Sequence, residues 1–155
     1  MNPHLQALCH MAQQAKRAQY PNVPPERIPK AKYTDKDANG LTRCILDYLT
    51  YSGAYAVRIN TQGQYRESLG KWTQGQTRKG TADVHACFNG CHLSIEVKAG
   101  KDKMSGHQRR TQQMVEQAGG RYFVARNFTE FFNWFQSIKN GRNLLPQVTP
   151  EPSKK

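Results

Sequence analysis

Residues 81–98 read TADVHACFNGCHLSIEVK, and this stretch decides the fold. Apolar and polar residues alternate on both sides of Asn89-Gly90, a dipeptide that strongly favours a two-residue turn between antiparallel strands. Such a turn also sets the register, so the pairing that starts at the turn continues outward until Asp83 faces Glu96. The predicted hairpin consists of strands over Thr81 to Phe88 and Cys91 to Lys98.

The two faces of this hairpin differ in chemistry, because successive strand side chains point to opposite sides. One face is apolar throughout and is predicted to point into the core: it carries Val84, Ala86, Phe88, Cys91, Leu93, Ile95 and Val97. The other face is polar: it carries Asp83, His85, Cys87, His92, Ser94, Glu96 and Lys98. A four-ligand zinc site on the polar face is disfavoured, because it would need Cys91 from the opposite face.

Asp83 and Glu96 face each other on the polar side, with Cβ atoms predicted about 5 Å apart. Like charges so close destabilise a sheet unless a cation neutralises them, and carboxylate oxygens suit Mg²⁺ or Mn²⁺. Lys98 lies on the same face, two residues beyond Glu96. Two acids that hold a metal beside a lysine suit the hydrolysis of a phosphodiester bond, in which negative charge grows on the phosphoryl oxygens. The alternative is that Glu96 and Lys98 are ordinary exposed strand residues and that Asp83 merely begins the strand.

Hydrophobic periodicity and breaker residues predict the remaining elements. The predicted helices cover 3–19, 39–52, 105–118 and a stretch that begins after Asn127, and further strands cover 55–59 and 121–126. From residue 37 the order is α-β-β-β-α-β-α, which predicts an α/β fold with a mixed β-sheet flanked by helices. The chain is predicted to divide into an N-terminal polar helix and Pro-rich arm (1–36), a folded domain (37–140) and a basic flexible tail (141–155).

The charge of the chain indicates the kind of partner. Its 155 residues have a formal charge of +12, from 23 Lys and Arg against 11 Asp and Glu. Such an excess favours an anionic partner, above all a nucleic-acid backbone. No stretch approaches the ~20 apolar residues of a membrane span, and the N-terminus lacks the apolar centre of a signal peptide. We therefore expect a cytoplasmic protein with reduced cysteines and no membrane partner.

The order Asp83, then Ser94 to Lys98, resembles the signature of PD-(D/E)xK nucleases. A longer set of motifs over about residues 39–140 is similar to the VRR-NUC branch of that superfamily: it comprises Gly80 to Val84, Ile95 to Lys98, Ser105 to Gln108, Ala118 to Gly120 and Val124 to Arg126. The resemblance implies a restriction-endonuclease-like core. It also implies that Asp83, Glu96 and the carbonyl of Val97 bind Mg²⁺ or Mn²⁺, and that Lys98 is catalytic.

The resemblance extends to one glutamine and differs at one helix. Gln108 matches the glutamine that family members place beside the site, which implies a catalytic role, but Ser105 and Gln108 also have the spacing of a capping box. Family members carry an acid near the start of the first core helix, where this chain has Asn39 and Gly40, with Asp37 just before them. Asn39 would then bind a water on the metal or cap the helix. The sequence leaves open whether one or two metals are held.

Candidate DNA contacts lie on the segments that lead into the predicted site. Two of them match polar family positions on the strand before residue 61, two end the polar loop predicted over 61–80, and two follow Lys98. The candidates are Arg58, Asn60, Arg78, Lys79, Lys101 and Lys103. Because the loop is polar, glycine-rich and basic at its end, we expect it to be mobile without DNA and ordered with it.

The function expected from the sequence is that of a Mg²⁺-dependent endodeoxyribonuclease. Relatives implied by the resemblance cut branched or flapped DNA, sometimes as homodimers, so substrates like a Holliday junction or a flap, and a homodimer, are among the expectations. The alternative is a non-catalytic DNA-binding module derived from the same fold. An RNA-directed nuclease is a third and weaker alternative.

Overall fold

The computed structural model describes residues 2–59, 64–73 and 78–142. Four helices lie in these ranges: α1 (Pro3–Gln19), α2 (Ala38–Tyr51), α3 (Gly106–Gln117) and α4 (Phe128–Arg142). The strands in the same ranges are β1 (Tyr55–Arg58), β2 (Gln64–Arg66), β3 (Lys71–Thr73), β4 (Val84–Phe88), β5 (Cys91–Val97) and β6 (Arg121–Ala125). Short 3₁₀ turns occur at Pro25–Arg27 and Glu67–Leu69.

Strands β1, β4, β5 and β6 form one mixed sheet in that order. The pairs β1–β4 and β4–β5 are antiparallel, whereas β5 and β6 are parallel and are connected through α3. A parallel pair needs such a crossover, because a tight turn can join only antiparallel neighbours. The predicted α/β class and the mixed sheet are therefore confirmed, whereas the predicted order of elements lacks the two short strands β2 and β3 between β1 and β4.

The central hairpin has the register that its turn predicts. Phe88 pairs with Cys91 and Val84 pairs with Ile95. Asn89 has φ 49° and Gly90 has φ 74°, as a type I′ turn requires. The start of the first strand was predicted wrongly: β4 begins at Val84 and not at Thr81, because the backbone turns at Arg78–Thr81, where the carbonyl of Arg78 accepts from both the N–H and the hydroxyl of Thr81.

The apolar face of the hairpin packs into the core, as predicted. Its residues Val84, Leu93 and Ile95 are fully buried, together with apolar residues of α1, α2 and α4. The aromatic stripe of α4 belongs to this core: its fully buried members are Phe128, Phe131 and Phe135. Helix α1 contributes Leu5 and Leu8 to the same cluster, and the predicted division of the chain at residue 37 stays a prediction.

The prediction of one continuous loop over 61–80 is wrong in part. Within the segment predicted as a loop over 61–80, β2 and β3 pair as a small antiparallel hairpin. Tyr65 and Trp72 are partners in it, and both residue types favour strands. Helix α4 continues to Arg142, past the predicted start of the tail at 141. Residues 60–63, 74–77 and 143–155 lie outside the described residues, so the predicted mobility of the loop and the tail stays a prediction. Over the described ranges, no helix combines the length and apolar character needed to cross a membrane.

Candidate active site

Asp83 and Glu96 come together where the hairpin ends. Asp83 directly precedes β4, and its Oδ2 accepts a hydrogen bond from the N–H of Val97 at 2.8 Å. Its own carbonyl accepts from the N–H of Ile59 at 2.8 Å. Asp83 is therefore fixed to the strands on both sides of it, which holds its carboxylate beside the residue that follows Glu96.

Glu96 is a buried carboxylate with several donors around it. Its side chain accepts a short hydrogen bond from Nε2 of Gln108 at Oε1, and Nζ of Lys98 lies 3.1 Å from the same oxygen. The hydroxyl of Tyr122 lies 3.5 Å from Oε2. Glu96 is only 2% exposed and Lys98 only 7%. The alternative that these two are ordinary exposed strand residues is therefore wrong.

The burial of this cluster changes how its members titrate. Burial, and next the negative charge of Asp83, raise the pKa of Glu96 to about 7, although Lys98 and Tyr122 act in the opposite direction. Burial alone would lower the pKa of Lys98, but its contacts with Glu96 and Asp102 outweigh that effect and raise it. Burial and the nearby Glu96 raise the pKa of the Tyr122 hydroxyl. The site therefore has a permanent cation beside a carboxylate that resists ionisation.

Two members of this cluster could not be found from the sequence. Tyr122 reaches Glu96 from β6, and the parallel register that places it beside Ser94 is not set by any local turn. Asp102 lies on the loop after β5 with its Oδ2 3.3 Å from Nζ of Lys98. The other carboxylate oxygen accepts from the N–H of Lys103 at 2.9 Å. The only available signal for Asp102 was an acid four residues after Lys98, which is common in polar loops.

Gln108 both caps α3 and contacts Glu96, while its catalytic role stays a prediction. Its Oε1 accepts from the N–H of Ser105, and its backbone N–H donates to the hydroxyl of Ser105, so the predicted capping box is present. Its Nε2 donates to Glu96 at the same time. The cap of α3 thus fixes the orientation of the amide that holds Glu96.

A glycine keeps α3 close to the segment that leads to Asp83. Gly80 has φ 84°, and a Cβ atom at this position would lie 2.5 Å from the carbonyl carbon and oxygen of His107. The backbone of residue 80 therefore touches the first turn of α3, one residue before Gln108. This contact therefore holds the segment that leads to Asp83 against the first turn of α3, the helix that carries Gln108.

The oxygen atoms near Asp83 and Glu96 are suitable ligands for a hard divalent cation. Val97 donates its N–H to Asp83, and the N–H and C=O of one strand residue project towards the same edge, so the carbonyl of Val97 projects towards Asp83. Two carboxylates and a carbonyl are oxygen donors of the kind that Mg²⁺ and Mn²⁺ prefer. In the part of the chain that the structure describes, no group of three or more His, Cys, Asp or Glu residues could hold a metal, so a third acidic ligand and a zinc site are both missing there.

The residues at the start of α2 are engaged in local contacts. Asp37 is the N-cap and accepts from the N–H of Gly40, so the alternative that Asn39 caps the helix is wrong. A Cβ atom on Gly40 would lie 2.5 Å from the carbonyl oxygen of Thr34, which leaves no room for a side chain. Asn39 instead accepts from a guanidinium nitrogen of Arg58 at 2.8 Å.

No protein-family model matches this chain, and no curated protein is detectably similar to it. Any functional assignment therefore depends on the residues themselves.

The predicted DNA contacts lie at the surface wherever the structure describes them. Arg58 is the last residue of β1 and pairs with Val84, the residue after Asp83. It is exposed, and its guanidinium donates a hydrogen bond to the side chain of Asn39. The remaining exposed members are Arg78, Lys79, Lys101 and Lys103. Asn60 lies outside the described residues. These basic residues are thus accessible to an anionic partner.

The titration of Glu96 gives a prediction for stability. Because its pKa in the folded protein is about 7, above the ordinary value of 4.5, the folded state binds a proton more tightly than the unfolded state between these values. In EDTA, the contribution of Glu96 to the free energy of unfolding is fully present below pH 4.5 and is lost as the pH rises towards 7. Urea unfolding at pH 5 and pH 8 measures this, and Glu96→Gln is expected to lose less stability over that interval than the wild type. Parallel losses in both proteins, with Glu116→Gln as the exposed control, would show that Glu96 does not carry the effect.

Proposed function

We propose that this protein is a metal-dependent endodeoxyribonuclease with a restriction-endonuclease-like core of the VRR-NUC kind. The observation that carries the proposal is the buried Glu96, which Lys98 and Gln108 hold beside Asp83. Burying the carboxylate of Glu96 and the ammonium of Lys98 beside a second acid costs stability, so such a cluster indicates a functional site. A site of two acids and a lysine suits phosphodiester hydrolysis. The fold and the basic surface agree with a DNA substrate.

In this mechanism, Asp83, Glu96 and the carbonyl of Val97 would hold Mg²⁺ or Mn²⁺. When bound, the cation polarises the phosphate and promotes the ionisation of water. Lys98 stabilises the negative charge that grows on the phosphoryl oxygens, since its raised pKa keeps it protonated. Gln108 holds the carboxylate of Glu96 in one orientation, and Asp102 restrains the ammonium of Lys98 on its other side.

A second candidate function is a DNA-binding module without catalysis. The observation that favours it is the lack of an acid at residues 39 and 40, where Asn39 is bound to Arg58 and Gly40 has no space for a side chain. The Asn39→Ala variant tests whether the side chain at this position is needed for metal-dependent cutting. If metal-dependent cutting is intact in that variant, the missing acid does not matter for catalysis.

The decisive experiment is cleavage by the purified protein of four-way, flapped, duplex and single-stranded DNA, each with Mg²⁺, Mn²⁺, Ca²⁺ or EDTA. We expect cutting with Mg²⁺ or Mn²⁺ and none with Ca²⁺, which is larger and coordinates less strictly. Matched RNA substrates test the preference for the sugar. Robust cutting in EDTA would contradict the metal assignment. Binding without cutting under every condition would favour the non-catalytic DNA-binding module.

The salt dependence of DNA binding tests where the duplex lies. Each phosphate contact contributes about −0.9 to the slope of log affinity against log salt concentration on duplex DNA. Replacing Arg78 and Lys79 together by alanine is expected to flatten this slope by about one to two, because both are exposed on the segment that leads to Asp83. Fluorescence anisotropy at several salt concentrations measures the slope. The control exchanges Arg43 and Lys139 of α2 and α4, and an equal effect of both pairs would place the DNA elsewhere.

A further inference from the structure

A pocket of about 310 Å³ lies beside the candidate active site, on the same side of the sheet. Most of its wall is apolar and comes from the second half of α3, where Met114, Val115 and Ala118 line it. The remaining lining residues are Arg78, His92, Thr111 and Gly120. Nothing in the proposed hydrolysis uses these residues.

The pocket lies a short distance along the strand from Glu96. Glu96, Ser94 and His92 alternate with core residues and so point to the same face of β5, and at ~3.3 Å per residue His92 is ~13 Å from Glu96. Helix α3 runs antiparallel to β5. Near its start Gln108 contacts Glu96, and near its end Val115 packs against Gly120 beside the carbonyl of His92. With nucleotides ~3.4 Å apart in a stacked strand, the pocket is no more than a few nucleotides from the phosphate at the site.

The wall combines apolar surface with two flat nitrogen-containing groups. Met114 is 42% exposed, and its sulfur lies 3.3 Å from a guanidinium nitrogen of Arg78. Among the described residues, Arg78 has no carboxylate partner within salt-bridge distance. The ring of His92 is fixed by the hydroxyl of Ser94 at 2.9 Å and by an edge-to-face contact with His85. The guanidinium is therefore available to a ligand, while the imidazole is held in one orientation.

These features select one kind of ligand. An aliphatic group would cover the apolar wall and leave the guanidinium of Arg78 without a counterpart, and a bare phosphate would not use the apolar wall. A nucleotide combines both groups: its base has flat faces that stack on His or Arg side chains, and its backbone phosphate pairs with Arg. The negative charge of the phosphate also suits the positive charge of the chain.

We propose that this pocket binds an unpaired nucleobase of the DNA strand that the enzyme cuts. Met114 and His92 contact the base, and Arg78 pairs with the phosphate of the same nucleotide. A base paired within a duplex has its faces covered by its neighbours and cannot enter. The preferred substrate then has an unpaired nucleotide within a few positions of the scissile phosphate, as a flap or a branch point provides. The part of this proposal that concerns cutting rests on the proposed nuclease function, whereas the binding of the base does not.

The test places 2-aminopurine at successive positions of a flapped oligonucleotide and measures its fluorescence with the full-length protein in EDTA, where cleavage does not occur. Ala118→Trp fills the pocket from an exposed position at the end of α3, and Gln117→Trp is the matched control on the neighbouring exposed residue. We expect one unpaired position to change its fluorescence on binding. Ala118→Trp is expected to remove that change and to weaken flap binding about tenfold, within the range for loss of one stacked base, while Gln117→Trp and blunt-duplex binding stay unchanged.

Equal behaviour of the two tryptophan variants, with thermal unfolding showing that both are folded, would overturn the pocket proposal. So would a fluorescence change that is the same for paired and unpaired 2-aminopurine. The outcomes also separate this proposal from the nuclease assignment. Selective binding of the base without cutting in Mg²⁺ would support the pocket proposal and contradict the nuclease function. Cutting without a fluorescence change would support the nuclease function and contradict the pocket proposal.

Discussion

Replacing Asp83, Glu96 or Lys98 by alanine is expected to reduce the rate of DNA cleavage by at least ~10²-fold in each case. The reason is that the three groups form one connected cluster: Asp83 is fixed by Val97, and Glu96 contacts Lys98 directly. None of these changes removes an apolar core side chain, so the fold is expected to persist. Single-turnover cleavage with Mg²⁺ measures the rate, and DNA affinity in EDTA measures binding separately.

The matched control is Glu116→Ala, which removes an exposed carboxylate from α3 whose contact is with Gln112 of the same helix. It is expected to cut DNA at the wild-type rate. Asp83→Asn and Glu96→Gln keep the shape of the two acids and test their charge. Wild-type cutting by any one of the alanine variants would remove that residue from the mechanism.

Gly80→Ala is expected to lower the free energy of unfolding by more than ~2 kcal/mol. An L residue with φ 84° costs about 1–3 kcal/mol, and the new Cβ would also overlap the backbone of His107 in the first turn of α3. Gly53→Ala is the matched control, because Gly53 has φ 82° but no atom within 4 Å of its would-be Cβ. Urea denaturation of both variants measures the difference, which isolates the close contact from the dihedral cost.

The same substitution is expected to lower cleavage more than Gly53→Ala does, since α3 must move away from the segment that leads to Asp83. The displaced helix carries Gln108, whose amide contacts Glu96. Equal stabilities of the two variants would mean that α3 adapts to a side chain at residue 80, and the contact would then not be needed to assemble the site.

The half of the site that could be predicted from the sequence is the half that the turn controls. Asn89-Gly90 has few conformations open to it, so the register that pairs Val84 with Ile95, and so brings Asp83 near Glu96, followed from local chemistry and the period of the strands. Capping of α3 by Ser105 was predictable for the same reason. In each case the interacting residues are close in sequence and the geometry between them is narrow.

The other half depends on contacts between distant segments, which no local pattern encodes. The parallel register of β5 and β6 decides that Tyr122 meets Glu96, and it depends on how α3 packs across the sheet. The ion pair between Lys98 and Asp102 depends on the path of an irregular loop. The small β2–β3 hairpin was missed because its polar composition outweighed the strand preference of Tyr65 and Trp72.

The contact between Gly40 and the carbonyl of Thr34 has a consequence for protein engineering. A third carboxylate cannot be introduced at residue 40 by a single exchange, since the carbonyl of Thr34 in the arm occupies the space that a side chain would need. Redesign towards an additional cation would have to reroute residues 34–36 together with the glycine, or use Asn39, whose exposed side chain already faces Arg58. An Asn39→Asp exchange keeps the size of that side chain and is the smaller intervention. The arm and the first core helix are therefore one design unit, and grafting of this site onto another scaffold should carry both.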